Sequence, residues 1–188
     1  MGENKALLKI GEKTVIQIIH DCLAKIFENI ILISNSPDEY PFLACPIFKD
    51  LYPGFGPASG IHAGLINTAT EKNFFISCDM PLFNIEMIKY IVEYKTAKNV
   101  VLPEWENRIE RLFGVYSKNN LPVFEQVFIG NDRNITDKND KRYKLYSIIE
   151  KLNAEILKVD DLPFFRHDMF FNMNDKEELN YVKSVFNK

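Results

Sequence analysis

The spacing of apolar residues predicts several amphipathic helices along the chain. Within residues 13–27, Ile19 and Leu23 lie four positions apart, on one face of a helix. Pro57 suits the first turn of a second helix, because its missing N–H is not needed there, and Asn84 can cap a third. The pattern predicts helices over residues 13–27, from Pro57, over 85–94, 121–129 and 142–152, and after Asn174.

Continuous apolar runs between these helices predict strands that are buried on both faces. Residues 29–34 and 74–78 carry mainly β-branched or aromatic side chains, which is typical of parallel sheets covered by helices on both sides. The alternation of strands and helices predicts a single doubly wound α/β domain over residues 1–188, with a mostly parallel sheet. Further strands are predicted over 99–102, 112–116 and 155–159, with a short one at 170–171 and a polar loop over 131–139.

Composition and charge argue against several classes of partner. The 188 residues carry a net charge of −3 with scattered Lys and Arg, which argues against a duplex nucleic-acid partner. No apolar run approaches the roughly 20 residues that span a bilayer, so no membrane partner is expected. Three cysteines without a paired spacing indicate reduced thiols and a cytoplasmic protein. An anionic substrate would need local cations, because the net charge does not attract it.

Polar residues that follow predicted strands are the candidate site, because open α/β sheets bind ligands beyond the carboxyl ends of their strands. Asn35 and Asp79 follow predicted strands, and Asp50 follows a short apolar stretch that ends at Phe48. Asp79 ends an apolar strand, and Met80-Pro81 prevents that strand from continuing. A carboxylate held in this way is an oxygen ligand suited to Mg²⁺. The alternative is that Asp79 only caps its own turn through the backbone.

The glycines before the second predicted helix do not form a dinucleotide fingerprint. Gly54, Gly56 and Gly60 are spaced one residue too widely for G-x-G-x-x-G, and Pro57 occupies the turn. What remains is a Gly-Pro loop that opens a helix, whose free N–H groups can receive an anion or a base edge. A plain connection between two elements explains the same residues equally well.

Other polar residues have an ordinary structural interpretation. A lone lysine such as Lys5 is usually a solvated side chain. Asn174 with Glu177 three residues later fits a helix cap, and Asn172 flanks the same segment. The three histidines have no consistent partners and receive no role. The charged connection between two strands, which could also face an anionic substrate, contains Arg108, Glu110 and Arg111.

Taken together, these positions resemble the molybdenum cofactor guanylyltransferases, relatives of the sugar-phosphate nucleotidyltransferases. The N-terminal segment looks like the end of the family signature Leu-Ala-Gly-Gly-x-Ser-x-Arg-Met-Gly-x-x-Lys, as Met1-Gly2-Glu3-Asn4-Lys5. The similarity covers nearly the whole chain. The remaining motifs follow in the family's order, as Ile31-Leu32-Ile33-Ser34-Asn35, Asp50 with Gly56-Pro57-Ala58-Ser59-Gly60-Ile61, Cys78-Asp79-Met80-Pro81, Leu112-Phe113-Gly114-Val115-Tyr116, and Phe171-Asn172-Met173-Asn174.

The resemblance implies a nucleotidyl transfer whose substrates are GTP and molybdopterin or the molybdenum cofactor. The phosphate of molybdopterin would attack the α-phosphorus of GTP, pyrophosphate would leave, and the guanine dinucleotide cofactor would result. Mg²⁺ is the implied metal. Contact with other proteins of molybdenum cofactor biosynthesis is a further implication.

The family's roles transfer by position onto residues of this chain. Lys5 and Asp79 would be catalytic, since Lys5 would neutralise phosphate charge and Asp79 would bind Mg²⁺. The residues implied to bind GTP are Lys5, Asn35, Asp50, Gly56, Pro57 and Asp79. Those implied to lie toward the pterin are Asn172 and Asn174.

The front of the chain departs from the family pattern. The family's first strand and Gly-Gly loop would precede Met1, so both are expected to be absent from this sequence. Three functions stay open on that account: the guanylyltransferase, a related nucleotidyltransferase using CTP or a sugar phosphate, and an inactive nucleotide-binding homologue. The resemblance implies the Rossmann-like fold of the nucleotide-diphospho-sugar transferases.

Overall fold

A computed structural model of the protein describes residues 4–129 and 144–186. None of the described helices is both long and apolar enough to cross a membrane. The helices are α1 Val15–Leu23, α2 Pro57–Asn67, α3 Ile85–Val92, α4 Leu121–Ile129, α5 Leu145–Ile149 and α6 Lys176–Phe186, with short 3₁₀ turns at Lys5–Leu7, Pro37–Glu39 and Lys118–Asn120.

The strands form one larger sheet and two strand pairs. The first pair is the antiparallel hairpin of β1 and β2, and the second is the parallel pair of β3 and β4. In the larger sheet the order is β5-β8-β6, with β7 and β9 also paired to β6. The strands are β1 Lys9–Ile10, β2 Lys13–Thr14, β3 Leu32–Ile33, β4 Ile47–Phe48, β5 Lys72–Ile76, β6 Val100–Trp105, β7 Arg108–Ile109, β8 Phe113–Ser117 and β9 Ala154–Lys158.

The α/β fold class is confirmed, but the larger sheet is mixed rather than mostly parallel. Strand β8 runs antiparallel to both of its neighbours, β5 and β6, whereas β9 runs parallel to β6. The cause is a tight turn at Glu106 and Asn107, both with positive φ, which reverses the chain after β6. The short connection onward leaves no room for the crossover that a parallel neighbour would need.

Apolar side chains from the two faces of the larger sheet pack into two separate core clusters. One cluster joins α1, α3 and α6 to Val101, Phe113 and Val115. The other joins α2, α4 and α5 to Leu102 and Tyr116. Because neighbouring strand residues point to opposite faces, each run feeds both clusters, which explains its continuous apolarity. The sheet therefore lies between two helical layers, as a doubly wound arrangement requires.

Most predicted elements are present, and their ends are set by local capping. Helix α1 begins later than predicted because the Thr14 hydroxyl caps it and the Gln17 side chain accepts the Thr14 N–H, a reciprocal capping box. Gly11, with φ 62°, turns the β1–β2 hairpin that precedes the helix. Asn84 caps α3 as predicted.

The secondary-structure predictions were wrong at one strand and missed several short ones, and part of them lies outside the described residues. No strand forms at residues 170–171, which follow a turn and lie against the core cluster that contains α1. The β1–β2 hairpin, β4 and β7 were not predicted as strands, because two-residue strands leave no periodic pattern. The predicted loop over 131–139 and the first residues of the predicted helix over 142–152 lie outside the described residues.

Two strands expected to be buried on both faces are only half-buried. Residues 30–33, around β3, and 74–77, in and after β5, are partly exposed although most of them are apolar. The two segments line opposite walls of one cavity of about 620 Å³, hereafter the β3–β5 groove. Strand β3 is paired only with β4, and β5 only with β8, among the described strands. The prediction of full burial was wrong here because each strand is paired on one edge.

Candidate active site

Asp79 is held rigidly just beyond the end of β5. The Ser77 hydroxyl donates a 2.5 Å hydrogen bond to Asp79 Oδ1, and the Met173 N–H donates a 3.0 Å bond to the Asp79 carbonyl. Met80, next in the chain, is buried in the core and anchors the turn. The Asp79 side chain remains 20% exposed. Its second carboxylate oxygen is therefore available to a ligand on a fixed backbone.

Lys5 lies beside Asp79 and links the two ends of the described chain. Its Nζ is 3.6 Å from Asp79 Oδ2 and donates a 2.7 Å hydrogen bond to Asn174 Oδ1. The preceding Asn4 caps the short turn that carries Lys5 and donates a 2.8 Å hydrogen bond to the Tyr40 hydroxyl. Lys5 is thus a positioned cation, and the interpretation of it as a solvated side chain was wrong.

Asn174 contributes its side chain to this cluster because another residue caps helix α6. The Asp175 carboxylate accepts the Glu178 N–H at 2.9 Å, and the Glu178 carboxylate accepts the Asp175 N–H at 3.1 Å. The capping arrangement is therefore Asp175 with Glu178, one residue later than the predicted Asn174 with Glu177. Asn174 Nδ2 donates to the Asn172 carbonyl at 3.2 Å, which fixes the amide so that its oxygen faces Lys5.

Asn35 and Asp50 form a second pair beyond the ends of β3 and β4. Asn35 Nδ2 donates to Asp50 Oδ2 at 2.8 Å, and the Asp50 N–H donates to Asn35 Oδ1 at 3.1 Å. The parallel pairing of β3 with β4 brings the two residues together, although 15 positions separate them. The reciprocal bonds lock the loop after β3 to the loop after β4. Asn35 is exposed and Asp50 half-buried, so both can contact a ligand.

The Gly-Pro loop opens helix α2 as predicted. Gly56 has φ 58°, a left-handed conformation that favours glycine, and Pro57 is the first helical residue. Ser59 in the first turn donates its hydroxyl to the Tyr52 carbonyl at 2.5 Å, which holds the loop against the helix. Gly56 and Pro57 are both exposed, so the loop can be reached by a ligand.

Sequence reasoning missed the contributions of Ser77 and of Glu110 to the Asp79 region. Leu112 joins them: its N–H donates to Glu110 Oε1 at 3.0 Å, and its carbonyl accepts the Ser77 N–H at 2.9 Å. Burial raises the pKa of Glu110, and the nearby Asp79 charge raises that pKa further. The Ser-x-Asp spacing of Ser77 and Asp79 was the one available signal, whereas Glu110 reaches this region only through the β7 hairpin.

The predicted site residues therefore form two groups. Lys5, Asp79 and Asn174 are joined by direct contacts, and Asn35 is joined to Asp50. The hydrogen bonds and ion pairs of the described residues do not link one group to the other. Asn172 supports the first group through its backbone. Gly56 and Pro57 belong to neither group, because they contribute backbone at the start of α2.

The Lys5–Asp79 pair has the chemistry that a phosphate-transfer site needs. An ammonium group offsets the negative charge of phosphate oxygens, and a carboxylate supplies an oxygen ligand to a hard cation such as Mg²⁺. Within the described residues no three His, Cys, Asp or Glu side chains converge to form a metal cage. A single carboxylate still fits Mg²⁺, because that ion commonly keeps several waters and takes its other ligands from substrate phosphates.

Comparison with known proteins identifies the family of the chain. Residues 1–145 match the family described as MobA-like NTP transferase domain. A relative from Clostridium perfringens, named probable molybdenum cofactor guanylyltransferase, is 31% identical over 181 residues, covering 93% of this chain and 85% of that protein.

Solved structures share the fold. The crystal structure of molybdopterin-guanine dinucleotide biosynthesis protein A from Archaeoglobus fulgidus aligns with a TM-score of 0.80 at 19% identity, covering 99% of this chain and 92% of that one. A Mycobacterium tuberculosis protein in complex with manganese aligns with a TM-score of 0.68 at 13% identity, covering 97% and 93%. By the extent of its family match and its identity to curated relatives, the chain belongs to the MobA-like NTP transferase domain family of nucleotidyltransferases.

Proposed function

We propose that the protein transfers GMP from GTP to the phosphate of molybdopterin or the molybdenum cofactor and releases pyrophosphate. The observation that carries the proposal is the Lys5 ammonium, held between the Asp79 carboxylate and the Asn174 amide. The name of the C. perfringens relative, which is 31% identical, supports this choice of substrates. Residues 1–188 would act as one domain, whose first and last described segments meet at Lys5 and Asn174.

The reaction requires little covalent help from the protein. A phosphate oxygen of molybdopterin forms the new bond to the α-phosphorus of GTP, and the bond to the pyrophosphate oxygen breaks. The attacking group is already an anion, so no general base is required. The protein must instead align the two substrates and offset the charge that develops on the transferred group. Lys5 supplies such a charge from a fixed position.

Asp79 would hold Mg²⁺ at this site. When bound, the ion would neutralise charge on the triphosphate and on the leaving pyrophosphate. The Ser77 hydroxyl holds one oxygen of the Asp79 carboxylate and leaves the second oxygen facing Lys5. Asp79 thus orients the phosphates, while Lys5 beside it offsets their charge.

The guanine end of GTP would lie at Asn35, Asp50 and the Gly56–Pro57 loop. Guanine presents adjacent N–H donors, and a carboxylate can accept from them. The Asn35 amide fixes Asp50 Oδ2 at 2.8 Å, which orients that carboxylate before a base arrives. The exposed N-terminal turn of α2 offers N–H groups to the ligand. Asn172 and Asn174 would lie toward the pterin, so that Asn174 would place Lys5 between the two substrates.

The test is pyrophosphate release with GTP, CTP or UTP, each with Mg²⁺ and molybdopterin. We expect turnover with GTP, a loss of at least about 1,000-fold for Asp79→Asn, and a loss of about 100-fold for Lys5→Met. Lys13 and Asp21 form an exposed ion pair of the same chemistry at 2.6 Å, so Lys13→Met and Asp21→Asn are matched controls that should retain turnover.

Each part of the proposal can fail separately in this test. Unchanged turnover of Asp79→Asn would contradict its metal role. The same nucleotides can be compared by the rise in Tm that each gives on binding with Mg²⁺. Equal rises with GTP, CTP and UTP would contradict the guanine assignment and favour a related nucleotidyltransferase. Nucleotide binding without pyrophosphate release would favour a binding protein without catalytic activity.

A further inference from the structure

The two groups of candidate site residues are carried by segments that meet at one side chain. Asn4 precedes Lys5, and its Nδ2 group donates a 2.8 Å hydrogen bond to the Tyr40 hydroxyl and a second bond to the Glu39 carboxylate. Glu39 and Tyr40 follow Asn35 by four and five positions. The Asn4 amide therefore joins the segment that carries Lys5 to the segment that follows Asn35.

On one side of this link, Asn4 fixes the turn that carries Lys5. Asn4 Oδ1 accepts the Ala6 N–H at 3.1 Å, and the Asn4 carbonyl accepts the Leu7 N–H at 3.0 Å. Ala6 is buried and belongs to the same small core cluster as Tyr40. The backbone of the turn is thus held by hydrogen bonds and by packing, and the Lys5 side chain leaves it at a fixed point.

On the other side, the segment from Asn35 to Tyr40 is held at both of its ends. Asn35 is locked to Asp50 by their two reciprocal hydrogen bonds. Pro37, with its fixed φ, begins a 3₁₀ turn, and the Tyr40 N–H closes this turn on the Pro37 carbonyl at 3.1 Å. Tyr40 is only 5% exposed, so its ring cannot shift freely. The position of the Tyr40 hydroxyl is therefore tied to that of the Asn35–Asp50 pair.

A ligand that contacts both groups benefits from such a link. Groups that are already held at the correct separation need no ordering when the ligand binds, whereas groups that move independently must be ordered at a cost in affinity. A ligand that contacts only one group gains nothing from the link. In the proposed function GTP contacts both, with its guanine at the Asn35–Asp50 pair and its phosphates beside Lys5.

We propose that Asn4 is a positioning residue that sets the separation between the guanine end and the phosphate end of bound GTP. This inference rests on the proposed function, from which it takes the places of the guanine and the phosphates. Asn4 acts through Lys5 on one side and through Glu39 and Tyr40 on the other. Selectivity for GTP then depends on the link as well as on the contacts to the base.

Two neutral substitutions weaken the link and leave both groups in place. Asn4→Ser retains a capping oxygen for the Ala6 N–H but lacks the amide that donates to Glu39 and Tyr40. Tyr40→Phe keeps the buried ring and removes the accepting hydroxyl. Neither substitution changes the net charge, so a change in nucleotide binding cannot come from altered attraction of phosphate.

Calorimetric titration with three probes measures the link. GTP with Mg²⁺ contacts both groups, guanosine contacts only the Asn35–Asp50 pair, and CTP with Mg²⁺ contacts Lys5 through its phosphates. We expect Asn4→Ser to raise the Kd of GTP about tenfold, and Tyr40→Phe, which removes one of the two bonds, about threefold. The Kd values of guanosine and CTP should change less than about twofold.

Asn84→Ser is the matched control. Asn84 also caps a helix, where its side chain accepts the Met87 N–H at 2.8 Å, and its amide donates to the Phe164 carbonyl at 2.7 Å. The substitution therefore removes the same kind of bond between two segments, at a residue without a described hydrogen bond to either group. This variant should bind all three probes as the unaltered protein does.

The outcomes separate this inference from the proposed function. Unchanged GTP binding by Asn4→Ser would overturn the inference. A parallel loss of guanosine binding would overturn it too, because Asn4 would then support the fold in general, and so would an equal loss of GTP binding in Asn84→Ser. Equal Kd values of GTP and CTP for the unaltered protein would contradict the proposed guanine contacts, and the inference with them. That last result requires no substitution, so the two failures are distinguishable.

Discussion

Two pairs of strands, β6 with β8 and β3 with β5, all contain apolar residues but differ in burial. All five residues of β8 and the first four of β6 are buried. In contrast, four of the five residues of β5 and both residues of β3 are only half-buried. Among the described strands, β8 has a neighbour on each edge, whereas β3 and β5 each have one. A strand is therefore buried by its neighbours and by the helices above it, and its own hydrophobicity does not suffice.

The largest expected difference between the buried and the half-buried strands comes from truncating a matched pair of leucines. Leu102 in β6 is fully buried, and Leu32 in β3 is half-buried. We expect Leu102→Ala to lower the free energy of unfolding by about 3–5 kcal/mol, because it leaves a cavity in close-packed surroundings. Leu32→Ala should lower it by about 1 kcal/mol, because less of its surface is removed from water. Urea unfolding measures both, and equal losses would show that the two leucines do not differ in burial.

A pair of glycine substitutions should give effects of opposite sign. A Cβ atom on Gly114 in β8 would lie 2.5 Å from both the Val101 carbonyl oxygen and the Leu102 side chain. Gly114→Ala should therefore destabilise the protein by about 2 kcal/mol or more. Gly60→Ala in α2, beside the groove, meets nothing within 4 Å and should stabilise by about 0.5–1 kcal/mol through helix propensity. Thermal unfolding tests this, and equal destabilisation by the two substitutions would contradict the difference in space around the two glycines.

The smallest expected effect concerns His62, a buried histidine in helix α2. His62 is fully buried against Tyr52 and Phe128, and its two ring nitrogens have no hydrogen-bond partner in the described part of the chain. Burial lowers the pKa of His62, and Glu125, 3.6 Å away, opposes that shift only in part. The unfolded chain consequently binds a proton more readily than the folded protein does.

Stability should therefore fall as pH drops below about 6.5, the pKa of an unfolded histidine, and stop falling below the lowered pKa of the folded state. His62→Phe should remove this part of the slope in unfolding experiments between pH 5 and 8. His167→Ala, at an exposed position, is the control and should retain it. A retained slope in His62→Phe would assign the effect to another group.

Local patterns made much of the molecule predictable. The helix starting at Pro57 and the cap at Asn84 depend on residues within one turn of each other, and both were found. The strand before Asp79 was found because its apolar run is followed closely by Asp79 and Pro81. The direction of β8 could not be read in advance, because it depends on the positive φ of Glu106 and Asn107, which no nearby glycine announces.

The candidate site was predictable as a set of residues but not as an arrangement. Asp79 and Asn35 were identified by their positions after predicted strands, and Asp50 by its position after a short apolar stretch. The role of Lys5 could not be read from spacing, because its partner Asn174 is 169 residues away. Asn174 is free to bind Lys5 because Asp175 caps helix α6 in its place. Glu110 was assigned to a charged connection, and only the β7 hairpin brings it near Asp79.

Local spacing specifies most of the helices, the longer strands, their apolar faces and the polar residues that follow them. These features follow from interactions between residues only a few positions apart. Local spacing does not specify strand direction, the meeting of Lys5 with Asp79 and Asn174, or the partners with which β3 and β5 pair. Each of these depends on which distant segments pair, and pairing is fixed by packing and hydrogen bonding across the whole molecule.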